Sequence, residues 1–121
     1  MENTHVTHEN DTKTDQTRTI AALNDRFRQT YWGGAVMTTR GVDQLDELTS
    51  IKLFSAVMHY DEFTEDDDPY GEHDFGKVVI DGQKFFWKID YYDARMEYGS
   101  EDPTNPDVTT RVLTIMLTHE Y

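Results

Sequence analysis

The stretch Asp61-Glu62-Phe63-Thr64-Glu65-Asp66-Asp67-Asp68 sets six carboxylates in eight positions, and Glu72-His73-Asp74 then places an imidazole between two more. Three chemistries are open to such residues. The first is divalent-cation binding. Asp66, Asp68 and Gly71 fall at positions one, three and six of a calcium loop, but Tyr70 stands at position five and Lys77 at position twelve, where a bidentate Glu is required. Only an irregular site on Asp66, Asp68, Glu72 or Asp74 is left open. The second chemistry is catalysis. His73 carries the usual general base of neutral pH, and Glu72, Asp74 and, from the next strand, Asp90 are the carboxylates that could serve it. Neighbours in an extended segment point to opposite sides, so the triplet alone is no dyad. No nucleophile-elbow serine, phosphate-loop glycine pattern or HExxH spacing accompanies it. The plainer reading makes His73 a hydrogen-bonding residue that fastens the loop to a hairpin.

The third chemistry is imitation of nucleic-acid phosphates. The chain has 24 acids and 11 bases, a net charge of −13, and residues 61–107 hold 15 of those acids with 4 bases. That is −11 in 47 residues, against −2 for residues 1–60 with their 8 acids and 6 bases. Duplex DNA carries a charge about every 1.7 Å of axis, so eleven charges match about 19 Å of duplex. A 121-residue domain is about 35 Å across, so one face approaches DNA's charge density over half its width if the carboxylates converge. Such a face suits a basic nucleic-acid-binding protein, a nuclease or a CRISPR effector subunit, and repels nucleic acid itself. The residues expected to meet that partner are Asp61, Glu62, Glu65, Asp66, Asp67, Asp68 and Glu72, with Phe63 and Tyr70 as aromatic anchors. A solvated acidic loop without a partner is the plainer alternative.

The elements that position these residues follow from apolar spacing. Residues 1–16 offer only Met1 and Val6 as apolar side chains and read as a flexible polar tail, leaving 17–121 as a single α+β domain. Ile20, Leu23, Phe27 and Tyr31 mark a helix face, with Asp25, Arg26 and Arg28 pointing away and Gly33-Gly34 as the stop. Ala35–Thr39 reads as a short strand. Asp43 or Asp46 caps a second helix with Leu45, Leu48, Ile51 and Val57 in its stripe. Asp81-Gly82 predicts a type I′ turn joining strands at 75–80 and 84–92, with Phe85, Trp87, Ile89 and Tyr91 facing the core. Asn105 and Pro106 then predict a final helix to about Thr118, burying Val108, Val112, Ile115 and Met116. The expected order is α-β-α-β-β-α, a small antiparallel sheet with a central hairpin packed by about three helices.

No cysteine occurs, which excludes disulfides, thiolate metal sites and cysteine nucleophiles, and no cofactor is implied. Neither an 18-residue apolar run nor a signal-peptide pattern is present, so a cytoplasmic protein with no membrane contact is expected.

The loop from Asp66-Asp67-Asp68-Pro69-Tyr70 through Gly71-Glu72-His73-Asp74-Phe75-Gly76 resembles a small bacterial family known only as a domain of unknown function. The resemblance continues through Phe86-Trp87-Lys88-Ile89-Asp90-Tyr91-Tyr92-Asp93 and Arg111-Val112-Leu113-Thr114-Ile115-Met116-Leu117, and spans about residues 20–121. The family pattern has Asn where this chain has Asp67. The resemblance implies no catalytic residues; its members' frequent placement on plasmids and phages implies an anti-defence role of the anti-CRISPR or anti-restriction type.

Overall fold

A computed structural model describes the backbone from residue 4 and side chains from residue 14 to residue 121. Helix α1 (Thr4–Thr30) is followed by strand β1 (Ala35–Thr38), the single turn α2 (Arg40–Asp43), helix α3 (Glu47–Met58), strands β2 (Phe75–Ile80), β3 (Gln83–Tyr92) and β4 (Thr110–Leu117), and a closing 3-10 turn at Thr118–Glu120. The class is α+β, three helices with an open four-stranded sheet in the order β1-β4-β3-β2.

Three expectations about the elements change. The sheet is mixed, because β1 pairs with β4 in parallel while β2, β3 and β4 are antiparallel neighbours. The predicted last helix is instead β4, a central strand that buries Arg111, Val112, Leu113, Ile115, Met116 and Leu117. A run in which nearly every residue is apolar fits a helical period by coincidence. Val112, Thr114 and Ile115 are β-branched, and strands on both sides pair its backbone. The first helix also starts earlier than its apolar face. Residues 4–16, expected as tail, are helical in backbone, though Thr14, Asp15 and Gln16 are exposed and packing begins at Ile20 and Ala21. Met1 to Asn3 lie outside the described residues.

Leu48 and Ile51, expected in the apolar stripe of the second helix, and Val108, expected to be buried, are exposed, and α3 buries Leu53 and Val57; three other local expectations hold. The Asp46 side chain accepts the Thr49 N–H at 2.7 Å and opens α3. Asp81 and Gly82 both have positive φ, 51° and 83°, as the type I′ turn demands. Phe85, Trp87 and Ile89 face inward against Leu117, Ile115 and Leu113 of β4, and Phe27, Leu53 and Val57 of the helices complete the core.

Trp87 is fully buried, and its indole N–H has no hydrogen-bond partner among the described residues. It lies against Gly76 on the neighbouring strand and edge-on to Tyr60, whose ring centroid is 5.4 Å away. A Cβ at Gly76 would fall 2.3 Å from the indole nitrogen and 2.7 Å from the Tyr60 ring. Gly76→Ala therefore destabilises the protein by about 1–3 kcal/mol, seen as a lower urea midpoint at unchanged m-value.

Candidate functional site: an acidic end of the sheet

The register brings both acidic segments to one place. Residues 59–74 lead into Phe75 at the start of β2, residues 93–109 connect Tyr92 to Thr110, and those last two are cross-strand partners. The hairpin turn with Asp81 lies at the opposite end. Of the 15 acids in residues 61–107, all but Asp81 therefore lie in or beside two loops at one end of the sheet.

Asn24, with no exposed surface, ties these loops together. Its Nδ2 donates to the Glu72 carbonyl at 2.9 Å and to the Tyr91 hydroxyl oxygen at 2.8 Å, and its Oδ1 accepts from Arg111 Nε at 2.7 Å. Arg111 also donates through Nη2 to the Pro103 carbonyl at 2.6 Å, and the Tyr91 hydroxyl donates to Glu72 Oε1 at 2.8 Å. One loop is thus held through Glu72 and the other through Pro103. Burial, then the Glu72 carboxylate, pushes the Tyr91 hydroxyl above its usual range, so it stays a donor at any ordinary pH.

A second polar cluster fastens the first loop to α1. Arg28, 1% exposed, donates to the Val57 and Tyr60 carbonyls at 3.0 and 2.9 Å and pairs with Asp25 at 2.9 Å. Its guanidinium lies 5.3 and 5.1 Å from the Phe63 and Trp87 ring centroids. His73 has a left-handed backbone, φ 57°, and its N–H reaches both Asp68 carboxylate oxygens at 3.2 Å. Its Nδ1 meets Asp25 at 3.0 Å, and its ring stacks on Phe63 at 3.9 Å between centroids.

The sequence-predicted residues therefore divide. Asp61, Glu62, Glu65, Asp66 and Tyr70 are exposed. Asp67 pairs with Lys77 at 3.4 Å, Asp68 is buried beneath the His73 backbone, Phe63 packs between Arg28 and His73, and Glu72 accepts the Tyr91 hydroxyl. For catalysis, the carboxylate nearest the His73 ring is Asp25 rather than Glu72, Asp74 or Asp90; Asp90 pairs with Lys88 at 2.9 Å. The irregular metal set of Asp66, Asp68, Glu72 and Asp74 is not gathered, and among the described residues no three His, Asp or Glu side chains are grouped to hold a metal ion.

Sequence reasoning missed Asn24, Asp25, Arg28, Tyr91 and Arg111 as site residues and turned Arg28 outward, whereas it is buried. Two signals were present: Ala21, Asn24 and Arg28 repeat at three- and four-residue spacing, and Arg111 heads an apolar run.

An α+β chain with a mixed sheet and a carboxylate-rich end is the class this geometry defines. Residues 38–120 match the model of the family described as protein of unknown function DUF3768, and the chain belongs to that family. No curated protein and no solved structure matches it. No helix among the described residues is long and apolar enough to cross a membrane.

Asp74 stands apart from the partnered acids. Burial first, then Glu72, Asp68 and Asp90, push its carboxyl up to about 6. Because the unfolded chain releases that proton near pH 4, folding binds an extra proton between pH 4 and 6, and stability falls across that window. The shift converts at about 1.4 kcal/mol per unit, and solvent screening at this half-exposed group reduces the penalty to about 1 kcal/mol. Asp74→Asn is accordingly more stable than wild type by about 1 kcal/mol at pH 7 and equal to it below pH 4, as urea unfolding at the two pH values checks.

Proposed function

We propose that the protein is an acidic, non-enzymatic inhibitor that presents carboxylates in place of nucleic-acid phosphates and occupies the basic groove of a nuclease or CRISPR effector subunit. The observation that carries this reading is the attachment of both acidic loops to one end of the sheet. Asp61, Glu62, Glu65 and Asp66 of the first loop and Glu97, Glu101, Asp102 and Asp107 of the second are exposed, with Arg95 as the exposed base among them. A field of one sign steers a basic partner into encounter and weakens as salt screens it. The buried Asp68 and the half-buried Glu72 add shape rather than accessible charge: they order the loop that carries the exposed carboxylates. His73 is engaged in the same fastening, and a reading without chemistry leaves it that role.

The test is capture from a host lysate at low and high salt, followed by association kinetics with the captured protein. A basic nucleic-acid-binding protein is retained at low salt and lost at high salt. Reversing Asp61, Glu62, Glu65 and Asp66 together to Lys slows association by about 10- to 1000-fold. Capture indifferent both to salt and to this reversal contradicts the proposal.

A further inference from the structure

Beside the first acidic loop, a groove of about 330 Å³ opens where that loop meets the outer face of the sheet. Tyr70, Phe75 and Tyr121 line it together with Asp74, Asp90 and Lys88. Tyr70 and Tyr121 are 80% and 74% exposed, and Tyr121 is held by ring contacts to Phe75 at 5.9 Å and Phe86 at 5.5 Å. The walls are therefore two rings standing in solvent, Tyr70 and Tyr121, and the half-buried ring of Phe75 that braces Tyr121.

The charges of the groove are unevenly satisfied. Lys88 is occupied by Asp90 at 2.9 Å, and Asp67 by Lys77 at 3.4 Å. Among the described residues, no other side chain forms a hydrogen bond or ion pair with the Asp74 carboxylate. The groove thus offers an uncompensated carboxylate among aromatic faces. A neutral apolar occupant would bury that charge without a partner, which is costly; a cation compensates it. Among protein cations the guanidinium fits best: it is planar, weakly hydrated, matches a carboxylate through two N–H groups and stacks on aromatic rings.

We propose that this groove receives an arginine side chain of the basic partner, its guanidinium meeting the Asp74 carboxylate between the rings of Tyr70 and Tyr121. The partner's identity rests on the phosphate-mimic reading, whereas the guanidinium site stands on the groove. It turns a diffuse acidic field into a point of register: the exposed loops draw the partner in, and one arginine fixes how it sits.

The test separates the two. N-acetyl-arginine amide is titrated into isotope-labelled protein and followed by amide chemical shifts. Saturable shifts confined to Tyr70, Asp74, Phe75, Asp90 and Tyr121, with an affinity of about millimolar, are expected. Asp74→Asn, which keeps the fold, weakens binding at least tenfold, as does Tyr70→Ala at an exposed ring, while the Lys reversal of Asp61, Glu62, Glu65 and Asp66 leaves the binding site in place. Shifts that do not saturate, that spread over all acidic residues, or that persist unchanged in Asp74→Asn overturn the groove site even if salt-sensitive capture succeeds. Groove binding without any salt-sensitive capture leaves the guanidinium site standing and overturns its assignment to a phosphate-mimic interface.

Discussion

The hydrogen bond from Arg111 to Asn24 is the contact on which the acidic end depends. Arg111 sits on the central strand β4 and Asn24 on the helix that covers the sheet, both almost without exposure. Through Asn24 the pair reaches the backbone of Glu72, and through Arg111 the backbone of Pro103. The two long loops thereby share one buried polar centre, and the first is fastened a second time by Arg28 and by Tyr60 and Phe63 packed on the core. A buried donor left unpaired costs about 1–3 kcal/mol, and more where it is charged, so removing one member penalises the others. That cost makes the hub a specific fastening rather than a general source of stability.

The same logic explains why some of the acids turn inward. A loop with many like charges repels itself, and left alone would stay extended in water. Here Asp68 gathers the His73 N–H, Glu72 takes the Tyr91 hydroxyl and Asp25 meets both His73 and Arg28. Each of these carboxylates exchanges repulsion for a hydrogen bond and leaves its neighbours at 61, 62, 65 and 66 displayed on an ordered backbone. His73 needs a positive φ to reach both partners at once, a conformation a non-glycine residue rarely adopts and which the surrounding bonds must over-determine. The density of acids in the sequence and the rigidity of their display are thus two aspects of one arrangement.

Much of the frame was legible in the chain, because the signals there were local. The Asp46 cap, the Asp81-Gly82 turn and the alternation along Phe85 to Tyr91 each depend on a few adjacent residues and hold. The strand at 110–117 reads as a helix from sequence because the two periods become indistinguishable when Arg111 to Leu117 are nearly all buried; pairing on both sides, a non-local fact, decides the matter. The site shows the same division. The acidic loop and its neighbour His73 stand out by composition, but their partners Asn24, Asp25, Arg28 and Arg111 come from about 30 to 50 residues away in sequence. A polar side chain on a core-facing helix position is visible in the sequence; what it bonds to is a property of the folded whole.

Hydrogen exchange of Asn24→Ala tests most directly whether the buried hub of Asn24 and Arg111 joins both acidic loops. With the amides of β3 and β4 still protected, protection in residues 61–74 and in residues 93–107 is predicted to fall together. Loosening of one loop alone, or a uniform loss across the sheet with no preference for the two loops, would contradict it.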